Sequence, residues 1–299
     1  MATIYTHITE NNQKTVFLMI LFLVFSIAFG WFISWWLQEP IILYVVIIIA
    51  LIQSFTSFWW SDKTILYFSH AKPIKKEDNP ELYNLVENLC LTAGLPLPKI
   101  YVMLERQPNA FATGRDKNHA SIAVTAGLLE KLERSELEGV IAHELSHIGN
   151  KDILLQSVIV VLVSVIALLS HFFLRLSFFT PMRSRRGSRD SSGIIFFIFG
   201  IAAAILAPLA ASLLHLAISR KREFLADASA ALLTRYPEGL ARALEKISLD
   251  PSPLPVANNS TARLYIINPL RSQEAKNWLT NLFSTHPPIK ERVRRLREL

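Results

Sequence analysis

The sequence is poor in cysteine and in charge. Cys90 is the single cysteine among 299 residues, so no disulfide can form within the chain and nothing points to an oxidising compartment. Charged residues make up 18% of the sequence, against about 25% in an average soluble domain. The missing charge is concentrated in a few long apolar runs, which is typical of a membrane protein.

The sequence also lacks the signatures of nucleic-acid binding, although its net charge is +7. It contains no zinc finger, no RNA-binding motif and no stripe of alternating aromatic and basic residues. In a membrane protein, basic residues held at the anionic cytoplasmic leaflet explain such a charge. We therefore expect the lipid bilayer, and no nucleic acid, as a partner.

Four apolar segments are each long enough to cross a bilayer as a helix, which takes about 20 residues. They cover residues 16–37, 41–60, 153–174 and 194–218. The first two contain no charged side chain and are separated only by residues 38–40, so we expect them to form a tight hairpin. Tryptophans lie in or near the ends of both, as is common where membrane helices meet water.

The distribution of basic residues predicts the orientation of these segments. Residues 38–40 contain no lysine or arginine, whereas residues 62–152 contain eleven and residues 219–299 contain fourteen. We therefore expect the N-terminus and both basic regions to face the cytoplasm. The loop between the third and fourth segments disagrees, because it carries the five arginines Arg175, Arg183, Arg185, Arg186 and Arg189. Whether residues 153–218 cross the bilayer fully stays open.

The remaining chain predicts a small soluble domain with both helices and strands. Asn79 and Gly94 are suited to cap the two ends of one helix. Residues 99–104 and 121–125 have the composition of short strands, and we expect them to belong to a short antiparallel sheet. A basic helix is expected from Pro287 onwards.

A further helix carries the motif with the clearest chemistry. Ser135 and Glu138 form a capping-box pattern that predicts its start. Within it, His143, Glu144 and His147 form the pattern His-Glu-x-x-His. Residues four apart share a helix face, so both imidazoles can reach one metal ion, and Glu144 can act as general base. Such donors suit zinc. The alternative is a helix with two exposed histidines.

A catalytic zinc takes a third protein ligand, and Glu223 is the best candidate. It directly follows the fourth apolar segment, and an even number of crossings separates it from His147, so both lie on one side of the membrane. Asp227 follows one helical turn later and can accept a hydrogen bond from a ligand imidazole. The alternative is an ion pair of Glu223 with Arg220 or Arg222 at the membrane edge.

Together these features resemble the membrane zinc proteases of the HtpX type, which are gluzincins related to the CAAX prenyl protease. The resemblance covers nearly the whole chain, because the four apolar segments occur in the same order. It rests on the His-Glu-x-x-His motif, a membrane hairpin, the pair Glu223 and Asp227, the segment 109–114 and the run His286-Pro287-Pro288.

The resemblance implies a zinc-dependent endopeptidase of the bacterial inner membrane, with an active site that faces the cytoplasm. One zinc ion per chain would be held by His143, His147 and Glu223, and Glu144 would be the catalytic base. The substrates would be polypeptides, above all misfolded or damaged membrane proteins, and the role would be quality control and stress response.

Two further site assignments follow from the resemblance. In such enzymes an edge strand above the metal helix binds the substrate as an added strand, which assigns substrate binding to Asn109, Ala110 and Phe111. An ordinary turn is the alternative for this segment. His286 would hydrogen-bond the oxyanion of the transition state. The alternative for His286 is a turn that starts a helix at Pro287.

The expected fold is a mostly α membrane protein with a small α+β metalloprotease domain, built on a zincin-like helix and a short antiparallel sheet. Residues 1–61 would form an N-terminal transmembrane hairpin, and residues 153–218 a second one. Residues 62–152 would form the first part of a cytoplasmic protease domain, with the zinc-binding helix. Residues 219–299 would form its second part, with the third zinc ligand.

Three other functions stay open. A non-catalytic scaffold with a closed structural zinc site would have no use for Glu144. A transporter or channel would need ionisable residues inside its spans, and the first two segments have none. Processing of prenylated tails is a narrower enzymatic alternative, but four apolar segments offer little room to enclose a lipid anchor.

Overall fold

A computed structural model describes residues 4–179, 220–257, 261–267, 269 and 287–299 of the chain. The fourth apolar segment, residues 194–218, and His286 lie outside the described residues. Predictions that concern them, including the crossing of the second hairpin, therefore stay predictions.

The N-terminal hairpin consists of two long helices, α1 (Ile4–Leu37) and α2 (Ile41–Phe68). Residues Asn11–Phe32 of α1 and all of α2 are long and apolar enough to cross a membrane. Many large apolar side chains on these helices are exposed, which water disfavours and lipid accepts. Two of the four predicted spans are therefore confirmed as candidate membrane helices.

The third apolar segment is helical, as predicted, and belongs to α6 (Asp152–Phe179). It follows the metal-motif helix α5 (Arg134–Gly149) after a bend of 86°. The first half of α6 is buried against α1, with Leu155, Val158 and Leu162 packed on Leu18 and Phe22. Such a bent pair has the form of a broken span or a re-entrant segment.

Four short strands form one sheet in the order β1-β2-β4-β3. They are β1 (Lys72–Pro73), β2 (Lys99–Met103), β3 (Ala110–Gly114) and β4 (Ala120–Thr125). The prediction of a purely antiparallel sheet is wrong, because β2 and β4 run parallel. The chain reverses after β2 to form the edge strand β3 and reverses again, so that β4 returns between them in the original direction of β2.

Three helices precede the bend between α5 and α6. They are α3 (Pro80–Ala93), α4 (Ala126–Lys131) and α5 itself. The caps predicted for α3 are confirmed, since the Asn79 side chain accepts from the Leu82 N–H at 3.0 Å and Gly94 has a φ of +65°. The predicted capping box of α5 is wrong. The helix begins at Arg134, and the capping box lies two residues earlier than predicted, because the carboxylate of Glu136 accepts from the Glu133 N–H at 2.9 Å.

The C-terminal region adds three helices, α7 (Arg220–Thr234), α8 (Pro237–Leu249) and α9 (Ile289–Arg297). Helices α7 and α8 pack on α5, and α9 packs on α7 and α8. Two glycines allow α5 and α8 to approach closely. A Cβ at Gly139 would lie 2.7 Å from the Leu240 nitrogen, and one at Gly239 would lie 2.6 Å from the Ser135 carbonyl oxygen. The result is one apolar core in which α5 contacts β3, α3, α7 and α8.

Candidate metal centre

The two histidines of the motif face each other from successive turns of α5. Both are buried, with His143 1% and His147 5% exposed. Their Nε2 atoms lie 3.2 Å apart, and the rings are nearly perpendicular at 89°. The helical spacing therefore brings two nitrogen donors to one point, and the alternative of two exposed histidines is excluded.

Glu223 reaches the same point from α7. One carboxylate oxygen lies 3.9 Å from His143 Nε2, and the other lies 3.7 Å from His147 Nε2. Small buried residues on α7, Ala226 and Ala230, let this helix pack against α5. A residue far from the motif in the chain therefore lies beside it.

The three donors fit a zinc ion in kind and in spacing. One ligand atom from each of His143, His147 and Glu223 lies within 4.8 Å of the other two. Donors bound to a tetrahedral zinc at about 2.0–2.1 Å lie roughly 3.3 Å from one another. Two imidazole nitrogens and one carboxylate oxygen also form a set that leaves a fourth position for water or substrate.

His143 is oriented by a carboxylate on the far side of its ring. Its Nδ1 lies 3.0 Å from Asp227 Oδ1, in a contact that is not well aligned for a hydrogen bond. A partner at Nδ1 places the ring proton there and turns the Nε2 lone pair toward the metal position. Burial lowers the pKa of His143, which favours the neutral ring that can bind a metal.

Asp227 is itself held by Arg292 of α9, a residue that the sequence analysis did not single out. The guanidinium donates to both carboxylate oxygens of Asp227, at 2.7 and 2.8 Å, and to the Ile266 carbonyl at 3.1 Å. It also lies 3.9 Å from Glu223. Burial alone would raise the pKa of Asp227, but the Arg292 charge and hydrogen bonds outweigh it and hold that pKa at about 2.

His147 has a carboxylate partner of its own, Asp152, which the sequence analysis also missed. Asp152 Oδ2 lies 3.0 Å from His147 Nδ1, where α6 begins just after the bend. Burial lowers the pKa of His147, but Asp152 and Glu223 more than offset this and raise it to about 9. The surroundings of this ring therefore favour positive charge, which a bound cation would supply.

Glu144 lies beside the first histidine and is buried at 2% exposure. Burial, aided by the charge of Glu223, raises its pKa to about 7, against the opposing influence of His147 and a hydrogen bond from the Ala112 N–H. A carboxylate with a pKa near neutrality can both accept and return a proton. Its interactions with His147 and Glu223 place this carboxylate next to the donor cluster.

The segment predicted to bind substrate lies on β3, the edge strand that packs on α5. Asn109, Ala110 and Phe111 are buried, and part of the outer edge is already covered. The Ala110 carbonyl accepts from the Ile266 N–H at 3.0 Å, and the Asn109 amide donates to the Ile267 carbonyl at 2.9 Å. Substrate contact at these three residues stays a prediction.

The comparisons with known families and with known proteins agree with each other. Residues 76–299 match the model of peptidase family M48. A protein named Protease HtpX homolog from Dictyoglomus turgidum is 46% identical over 297 residues, covering 99% of this chain and 94% of that protein. One of the same name from Caldanaerobacter subterraneus subsp. tengcongensis is 44% identical over 300 residues, covering 99% and 98%.

A solved structure of lower identity was also found. The crystal structure of Ste24p from S. mikatae aligns with a TM-score of 0.48 at 22% identity, covering 85% of this chain and 57% of that one.

Proposed function

The chain belongs to peptidase family M48 and is a membrane-associated metalloprotease, and we propose that it is a zinc endopeptidase that cleaves misfolded or damaged membrane proteins. One observation carries the proposal. Two imidazole nitrogens and a carboxylate oxygen converge in a buried site beside the carboxylate of Glu144. A structural metal site would not need a further carboxylate with a pKa near 7 beside its three ligands.

Different residues of the chain have different roles in the proposed hydrolysis. His143, His147 and Glu223 would hold one zinc ion, which supplies a Lewis acid that polarises the substrate carbonyl and acidifies water. The Glu144 carboxylate takes the proton from the attacking water and passes it to the leaving amine. Asp227 and Asp152 keep the two imidazoles turned toward the metal position.

We further propose that the substrate lies as an added strand along the part of the β3 edge that residues 266–267 leave uncovered. The Ala112 N–H is directed to Glu144, so a chain beside this strand would pass the general base. Asn109, Ala110 and Phe111 belong to the same strand region and would set the position of that edge. Such binding selects extended segments, which favours unfolded loops and tails over compact domains.

His286 is proposed to stabilise the oxyanion as a hydrogen-bond donor. This role comes from the sequence resemblance, and His286 lies outside the described residues. The downstream helix α9 is anchored to the site through Arg292.

We propose that the protein is a multi-pass protein of the bacterial inner membrane with its active site on the cytoplasmic side. The basic residues of 62–152 and 219–299 support this orientation. The contact between Asn11 of α1 and Asp152, next to the metal helix, supports an N-terminus on the same side as the site.

The proposal is tested with detergent-purified full-length protein, by metal analysis and by digestion of an unfolded protein. We expect one zinc per chain, cleavage that a chelator abolishes, and recovery on adding zinc. Glu144→Gln should keep the zinc but lose about 10²- to 10⁴-fold in cleavage rate. Glu138→Gln, on the same helix, should cleave normally.

Cleavage by Glu144→Gln at the wild-type rate would remove Glu144 from its proposed role. A wild-type protein that binds zinc but cleaves no polypeptide would indicate a structural metal instead of a peptidase site.

A further inference from the structure

A buried amide stands at the start of the apolar part of α1. Asn11 is the first residue of the candidate span Asn11–Phe32 and is 3% exposed. A polar side chain buried in such a helix is costly unless it is hydrogen-bonded. The Asn11 amide meets this requirement with partners far away in the sequence, at separations of 141 and 211 residues.

Both ends of the amide are used. Its nitrogen donates to Asp152 Oδ1 at 2.8 Å and lies 3.4 Å from the Asn150 carbonyl oxygen. Its oxygen accepts from Arg222 Nη1 at 2.9 Å. Since an amide has one donor end and one acceptor end, the acid on one side and the guanidinium on the other fix its orientation.

Asp152 connects this amide to the metal centre. Its Oδ1 receives the Asn11 bond and lies 3.5 Å from Arg222, whereas its Oδ2 lies 3.0 Å from His147 Nδ1. The two carboxylate oxygens of Asp152 therefore contact different partners. A carboxylate turned away from the imidazole would lose the Asn11 bond as well, so the amide restricts the orientation that His147 depends on.

We propose that Asn11 is a positioning residue of the metal centre, which acts on His147 through Asp152 and makes the N-terminal membrane helix part of the zinc site. The proposal rests on the metalloprotease function above. Because linkage is reciprocal, docking of α1 tightens zinc binding, and bound zinc tightens the docking of α1. The helix is then more than an anchor for the protease domain.

The test is the zinc affinity of full-length protein in detergent, measured by competition with a chromophoric chelator. Replacing a direct partner of a ligand histidine weakens metal binding about 10- to 100-fold, so for Asn11→Leu, one contact further out, we expect about 3- to 10-fold. Thr15→Val is the matched control. Thr15 is buried one turn along the same helix, and its hydroxyl donates to the Asn11 carbonyl at 2.8 Å.

Asn11→Asp provides a second variant if Asn11→Leu fails to fold. It keeps the size of the side chain and an acceptor for Arg222, but it replaces the donor to Asp152 with a second carboxylate. Zinc affinity should fall at least as far as in Asn11→Leu. Wild-type affinity in a folded sample of either variant would overturn the proposal.

A double-mutant cycle separates positioning from helix packing. In an Asp152→Ala background, Asn11→Leu should change zinc affinity less than about twofold, because the residue through which it acts is gone. An equal loss in both backgrounds would mean that Asn11 acts through packing, and the proposal would fail. Wild-type zinc binding and cleavage, measured on the same preparations, test the metalloprotease function separately.

Discussion

The two histidines of the candidate metal centre are held from opposite parts of the molecule. His143 is oriented by Asp227, which is clamped by Arg292 of the C-terminal helix α9. His147 is oriented by Asp152, at the start of α6, which contacts Asn11 of the membrane helix α1. His143 is therefore supported from the apolar core by α7 and α9, the soluble half of the site. His147 is supported by the start of α6 and by α1, a candidate membrane helix, which form the membrane half.

The two supports also differ in charge. The soluble half neutralises its acids with a fully buried cation, since Arg292 is 1% exposed and contacts both Asp227 and Glu223. The membrane half relies on a neutral amide and on the more peripheral Arg222. We infer that the soluble half supplies most of the stability of the site, whereas the membrane half links the site to the position of α1.

The largest effect is expected from removing the buried cation. Arg292→Leu would leave the carboxylates of Asp227 and Glu223 buried without their cation, a change that costs about 3–5 kcal/mol in folding free energy. Unfolding in detergent, by heat or by denaturant, measures it. Arg294→Leu, two residues along the same helix with an exposed side chain, should unfold close to wild type. Equal unfolding of both variants would contradict the assigned role of Arg292.

Neutralising each carboxylate tests the two halves side by side. Asp227→Asn and Asp152→Asn should each weaken zinc binding about 10- to 100-fold, because each orients one ligand imidazole. Asp227→Asn should also destabilise the fold more, since it leaves buried Arg292 with a poorer partner. Chelator competition and unfolding on the same samples give both quantities. A larger loss of stability in Asp152→Asn would reverse the comparison.

The smallest effect is expected at the contact between α6 and the edge strand. Ser157 Oγ lies 2.8 Å from Thr113 Oγ1 and 3.4 Å from the Gly114 nitrogen, with both side chains buried. Ser157→Ala should cost about 1 kcal/mol in unfolding free energy and leave zinc affinity unchanged. Ser26→Ala, which removes a hydroxyl bonded within α1, is the control. Loss of zinc binding in Ser157→Ala would extend the metal support beyond Asp152.

The metal motif could be predicted from the sequence because its chemistry is local. His143 and His147 are placed together by one helical turn, and Glu144 follows the first of them directly. The role of Glu223 needed an added argument about membrane crossings, and the structure brings it to the same point. The caps of α3 were predictable for the same reason, since Asn79 and Gly94 act on their own helix.

The outer partners could not be predicted because they depend on long-range packing. Arg292 is one of several arginines in a basic helix, and it reaches Asp227 across 65 residues. A signal was present, since Arg292, Val293 and Leu296 share the buried face of α9. The sequence contains no such signal for Asn11, because a single amide at the start of an apolar run is not part of a periodic pattern.

The order of the strands in the sheet could not be predicted from the sequence either. The composition of β2 and β4 predicts strands correctly, but it does not reveal that β3 turns back outside β4. That arrangement depends on β3 packing against α5 and α6, which are distant in the chain.

Zinc K-edge X-ray absorption of the detergent-purified protein tests the central claim most directly. The account predicts two imidazole nitrogens and a carboxylate oxygen at about 2.0–2.2 Å from zinc in the wild type. It also predicts loss of the carboxylate oxygen or of the metal itself in Glu223→Gln. A spectrum with one imidazole or none, or a spectrum unchanged by Glu223→Gln, would contradict a centre built from His143, His147 and Glu223.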